Sequence, residues 1–99
     1  MRTLYFKSDN CPVCKTILPK FIQICNEYGI PYEIIDVSDN QEQAGQLLVF
    51  SVPTIIFLDK EGKEIKRFAQ YFGTNEISTF LDRYFQLTKN SSNKDENIT

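Results

Sequence analysis

The chain has no histidine and no tryptophan, and only three cysteines and one methionine. Without histidine or a second cysteine pair, one chain cannot complete the four-ligand set of a typical zinc site. An odd cysteine count argues against the paired framework that staples small secreted domains. Eleven basic residues stand against thirteen acidic ones, so the basic excess of a general nucleic-acid binder is missing. No apolar run approaches the roughly 20 residues that span a bilayer. The opening Met-Arg-Thr-Leu-Tyr-Phe-Lys is too poor in apolar residues for a secretory leader. Internal repeats and linker-like stretches are also lacking. These absences predict a cytoplasmic protein with no nucleic-acid or membrane partner, in a compartment that keeps thiols reduced; a monomer is expected, although no feature of the sequence fixes the oligomeric state.

Two of the three cysteines stand together in Ser8-Asp9-Asn10-Cys11-Pro12-Val13-Cys14-Lys15. A short β-prone run, Arg2 to Phe6, precedes them. An apolar stripe follows (Ile17, Leu18, Phe21, Ile22, Cys25 and Tyr28), which predicts a helix from about Cys11 to Tyr28. The pair therefore sits where a strand passes into the first turn of a helix. Free amides and the macrodipole at a helix N-terminus stabilise an anion. A thiolate held there has its pKa lowered from about 8.5 into the range of roughly 3.5–7.5. Cys11, near the cap, is expected to be the exposed attacking thiolate. Cys14, about one turn further in, is expected to be the shielded resolving thiol. Pro12 fits the first turn, where its missing N–H costs nothing. Ser8, Asp9 or Asn10 is expected to cap the helix. Pro19 lies inside it and predicts a bend.

Gly29 is expected to end this helix, and Tyr32 to Val37 to form a second strand. Ser38-Asp39-Asn40 opens a short helix to about Val49, with Ala44, Leu47 and Leu48 inward. Thr54 to Leu58 is apolar throughout, as in a strand buried on both faces. Asp59 to Gly62 reads as a hairpin turn and Glu64 to Ala69 as an edge strand. Thr74 or Asn75 caps a last helix that carries Ile77, Phe80, Leu81, Tyr84 and Phe85 at helical spacing. From Lys89 on, only Ile98 is apolar, so the domain is expected to occupy residues 1–87 and residues 88–99 to be a disordered tail. The order is β-α-β-α-β-β-α, an α/β fold whose four-stranded mixed sheet has helices on both faces.

This order and these motifs resemble the thioredoxin superfamily. The likeness rests on Cys11-Pro12-Val13-Cys14-Lys15 with Pro19 five residues after the second cysteine, on Ser51-Val52-Pro53-Thr54, and on the hairpin Phe57 to Ile65. It covers roughly residues 2–87. It implies a thioredoxin-like fold and a thiol–disulfide oxidoreductase that needs no cofactor and no metal. It implies a cis peptide at Val52-Pro53 beside the cysteines, and substrate contacts from Asn10, Pro12, Val13, Val52, Pro53 and Thr54. It also implies protein disulfides as substrates and a reductase, such as thioredoxin reductase, as the electron donor.

The chain departs from the family at several positions. Asn10 stands where thioredoxins carry a tryptophan, and Tyr5 where they carry a buried aspartate. Gln70 aligns with their groove glycine, or Gly73 with a shift. The C-P-x-C pattern and the size resemble glutaredoxins, which makes glutathione a competing donor, although the Gly-Gly pair after the glutaredoxin hairpin is missing. The departures also leave open a thioredoxin-fold binding module without turnover. Around the site, Lys15 is either a thiolate partner or a solvated charge, and Asp9 either a base or a cap. Tyr5 is expected to be a core aromatic within reach of Cys14, and Cys25 a small apolar core residue.

Overall fold

A computed structural model of the chain describes residues 1–69 and 72–92, the side chains of residues 87–92 excepted. The elements are β1 (Arg2–Lys7), α1 (Pro12–Tyr28), β2 (Tyr32–Asp36), α2 (Gln41–Gln46), β3 (Thr54–Leu58), β4 (Glu64–Ala69) and α3 (Thr74–Ser92). They follow the predicted order. The sheet runs β2-β1-β3-β4, with β1 parallel to β2 and antiparallel to β3, and β3 antiparallel to β4.

Strand alternation divides the apolar residues between two cores. One face carries Tyr5, Ile55, Phe57 and Phe68, covered by Ile17, Phe21, Ile24 and Cys25 of α1 and Ile77 and Leu81 of α3. The opposite face carries Leu4, Phe6, Ile35, Ile56 and Leu58 against Ala44 and Val49. β3 is buried along its whole length, as a central strand covered on both faces must be. The α1 stripe differs in detail from expectation. Ile24 is buried, whereas Leu18, Ile22 and Tyr28 pack from its half-buried margin. The Tyr28 hydroxyl donates to the Asp82 carboxylate and ties the end of α1 to α3.

The two helices that lead into strands end in the same way. At the end of α1, the Ile30 amide donates to the Cys25 carbonyl (2.8 Å) and the Gly29 amide to that of Asn26 (3.3 Å). At the end of α2, Val49 donates to Ala44 (2.8 Å) and Leu48 to Gly45 (3.1 Å). Both are Schellman closures, in which an apolar residue just past the helix folds back onto the core. Gly29 takes the left-handed position of the first with φ 67°, as predicted. Leu48 takes it in the second with φ 59° and points outward, 62% exposed. The apolar pattern carries the second helix to Val49 with Leu48 inward. In fact, the helix stops at Gln46, because bringing Val49 into the core requires the chain to reverse first. Arg67 of β4 supports this closure: its guanidinium donates to the carbonyls of Leu47 (2.7 Å) and Leu48 (3.0 Å), which the helix leaves unpaired.

Other boundaries shift slightly. β2 ends at Asp36 rather than Val37. α3 begins at Thr74, so Gly73 rather than Thr74 or Asn75 precedes it. The Gly73 amide donates to the Glu76 carboxylate at 2.8 Å, the return half of a capping box. The helix runs on to Ser92, so the predicted domain end at residue 87 falls inside it. Residues 93–99 of the expected tail lie outside the described residues, as does Gln70.

Candidate active site

Cys11 and Cys14 form a disulfide with their Cα atoms 5.2 Å apart. Cys11 itself is the N-cap of α1, with extended backbone (φ −109°, ψ 100°), and Pro12 fills the first helical position. The Cys11 Sγ accepts a hydrogen bond from the Cys14 amide at 3.1 Å. The cap is therefore the sulfur, not Ser8, Asp9 or Asn10. This puts the sulfur where a negative charge gains most from unpaired amides and the helix dipole. The first turn of α1 contains no acidic residue, so no like charge opposes a thiolate there. Cys11 is half-buried, while Cys14 is 1% exposed.

The approach to Cys11 is held by short-range bonds. The Cys11 amide donates to the Ser8 carbonyl (3.2 Å), and the Asn10 amide to the Ser8 hydroxyl (3.3 Å). Lys7 ends β1 next to Asp36 of β2 in the sheet register. Its ammonium reaches Asp9 at 2.9 Å and Asp36 at 3.3 Å. The hydrogen bond to Asp9, then that to Asp36, raises the Lys7 pKa. The Ser38 amide, with Lys7 behind it, lowers that of Asp36. Asp9 is thus part of an ion pair and does not cap the helix. Lys15 is exposed on the first turn.

Tyr5 is fully buried, and its hydroxyl donates to the Cys14 carbonyl at 2.8 Å. Burial pushes its pKa up to about 12, so it remains a neutral donor.

Pro53 precedes β3, and Thr54 pairs with Phe6 in the register, so the loop before β3 arrives beside the end of β1 and the loop to Cys11. The Val52-Pro53 peptide is cis, as the resemblance implies. Pro53 is fully buried, and Thr54, 1% exposed, donates its hydroxyl to the Ser51 carbonyl at 2.7 Å. Those two side chains therefore build the loop. Val52 is half-buried, while Asn10, Pro12 and Val13 are exposed, Val13 to 50%. A groove of about 240 Å³, lined by Ser8, Val37, Val49, Phe50, Ser51 and Val52, joins the two loops. Phe50, 84% exposed at its edge, is the most exposed large apolar side chain among the described residues. Two site features are not evident from sequence. Phe50 closes an unbroken apolar run whose outward turn depends on the α2 closure. The Lys7–Asp36 pair depends on strand pairing. The Tyr5 hydroxyl makes the reach to Cys14 that the sequence suggests.

No group of three or more potential metal-ligating side chains occurs among the described residues. No helix among them is long and apolar enough to cross a membrane.

Comparison with known proteins agrees with this geometry. The thioredoxin family model matches residues 2–83. The SPbeta prophage-derived thioredoxin-like protein YosR of Bacillus subtilis is 31% identical over 82% of this chain and 95% of its own. Thioredoxin of Bacillus subtilis is 40% identical over 57% of this chain and 55% of its own. Among solved structures, thioredoxin 1 from the thermophilic eubacterium Thermosipho africanus superposes with a TM-score of 0.86 and 46% identity, covering 90% of this chain and 99% of that one. With a disulfide across the first turn of α1 and a cis-proline loop beside it, the chain belongs to the thioredoxin family and is a thiol–disulfide oxidoreductase.

Proposed function

We propose that the protein is a monomeric carrier that reduces protein disulfides, with Cys11 as the nucleophile and Cys14 as the resolving thiol. The carrying observation is the asymmetry of the pair: Cys11 is the half-buried N-cap, whereas Cys14 is sealed beneath it. In the reduced protein the Cys11 thiolate attacks one sulfur of a substrate disulfide. That S–S bond breaks, and the departing substrate sulfur leaves as a thiolate and takes up a proton. The Cys14 thiol then loses its proton and attacks the Cys11 Sγ. This frees the second substrate thiol and forms the Cys11–Cys14 disulfide. Two electrons and two protons have passed to the substrate.

The substrate face comprises Asn10, Pro12, Val13, Val52 and Phe50 around the sulfurs. Pro53 and Thr54 support it from beneath. Its uncharged, largely apolar character suits an extended segment of a protein better than a small charged thiol. Together with the missing Gly-Gly pair, this favours a dithiol reductase over glutathione as the electron donor. The site of action is a reducing compartment such as the cytoplasm.

The test is insulin-disulfide reduction with either thioredoxin reductase and NADPH, or glutathione and glutathione reductase. Turnover driven by the first and not the second is expected. Turnover by glutathione alone would replace the donor, and no exchange by either route would leave a binding module.

A further inference from the structure

We propose that Tyr5 is a positioning residue for the redox reaction, its hydroxyl tethering the carbonyl of the resolving Cys14 to the sheet and so holding the two sulfurs at disulfide distance. The inference rests on the exchange reaction proposed above and goes beyond it.

The ring nitrogen of Pro19, inside α1, carries no hydrogen, so the helical bond to the Lys15 carbonyl is missing. The first turn of α1, which carries both cysteines, is therefore joined to the rest of the helix by one bond fewer than an unbroken helix provides. Tyr5 spans this weak point. Its ring packs on Phe21, on the far side of Pro19, with centroids 4.9 Å apart. Its hydroxyl reaches the Cys14 carbonyl, on the near side. The side chain thus grips the helix before and after the proline.

Cys11 is located by different contacts. The loop that delivers it is held through Ser8 and through the Lys7 ammonium between Asp9 and Asp36. Each sulfur is consequently referred to the sheet separately, Cys14 through Tyr5 and Cys11 through the end of β1. Their separation is then set by the sheet as well as by the two residues that link them, Pro12 and Val13. Closing the disulfide is an intramolecular reaction whose equilibrium and rate rise with the effective concentration of one thiol at the other. A tether on Cys14 raises that concentration. The donor persists through the working pH range, because burial keeps the hydroxyl protonated.

The test is to equilibrate the full chain with glutathione or dithiothreitol redox buffers and to compare wild type with Tyr5→Phe. The phenylalanine keeps the ring against Phe21 and removes only the donor. Disulfide formation is expected to become three- to tenfold less favourable, a rise in reduction potential of up to about 30 mV, since tenfold corresponds to 29.6 mV for two electrons. Release of thionitrobenzoate from its mixed disulfide with Cys11, the step in which Cys14 attacks, should slow by a similar factor. Tyr28→Phe is the matched control. It removes a hydroxyl that ties α1 to α3 away from the disulfide, and it should lower the melting temperature without moving the equilibrium. Tyr5→3-fluorotyrosine, a stronger donor of nearly the same shape, should move the equilibrium the opposite way and covers the case in which Tyr5→Phe does not fold. An equilibrium and a release rate within twofold of wild type in folded Tyr5→Phe would overturn the proposal, as would an equal shift in Tyr28→Phe or no shift with 3-fluorotyrosine. A wild-type protein that exchanges with neither buffer would instead refute the function itself.

Discussion

Cys14 and Cys25 lie on the same helix about three turns apart, and each is 1% exposed. Only Cys14 is in a disulfide. Cys14 is in the first turn, bonded to a cysteine that caps the helix, with a polar donor on its own carbonyl. Cys25 is in the last turns, among Ile24, Phe21 and Ile30, and burial pushes its thiol up to about 12. Burial is thus common to the disulfide-bonded and the free cysteine. What separates them is position along the helix: free amides that favour a thiolate at one end, apolar packing that forbids it at the other.

The largest effects test the reactive end. Cys11→Ser is expected to reduce insulin-disulfide turnover to the uncatalysed background, and full activity in that variant would remove Cys11 from the mechanism. Cys14→Ser should still attack but stall, accumulating mixed disulfides through Cys11 that non-reducing electrophoresis and mass spectrometry detect.

Alkaline titration probes both ends together. The folded state holds the Cys25 proton to about pH 12 against an ordinary value of 9.0, and the Tyr5 proton to about 12 against 10.0. Above the ordinary value the unfolded chain releases a proton that the folded one retains, so stability falls as pH rises. It is present in full below about pH 9 and is lost between 9 and 12, at up to about 1.4 kcal/mol per pH unit per group. In urea titrations at stepped pH, Cys25→Ala should delay the onset of that loss by about one unit, from the Cys25 value to the Tyr5 value. An unchanged onset would show that Cys25 titrates normally.

Smaller effects test the inert end alone. Cys25→Ser places a hydroxyl in an apolar core and should cost about 1–3 kcal/mol while leaving exchange kinetics unchanged. In the reduced protein at neutral pH, iodoacetamide should modify Cys11 and spare Cys25 until the chain unfolds. Gly29→Ala should cost about 1 kcal/mol through its left-handed backbone, since the added Cβ would meet nothing within 4 Å.

Much of this site is visible in the sequence because it depends on local rules. A cysteine pair spaced by two residues, a proline in the first turn and an apolar stripe behind it place Cys11 and Cys14 at a helix N-terminus without tertiary information. The continuous apolar run Thr54 to Leu58 marks the central strand, and Gly29 marks a helix end, for similar reasons. Where the sequence pattern misleads, a distant segment decides. Leu48 belongs to an apolar run, yet it faces solvent because Val49 must reach the second core and Arg67, on another strand, takes up the freed carbonyls. At Asp9 the reason is local instead: the Cys11 sulfur takes the cap, and Asp9 pairs with Lys7.

The order of elements, the redox pair, its shielded member and the proline inside its helix are legible in the chain alone, since each follows from neighbours within a few residues. Tertiary packing was needed to settle where Phe50 points, why Leu48 faces solvent and how Lys7 comes to pair with Asp36. Those depend on contacts between residues far apart in the chain that no local pattern encodes.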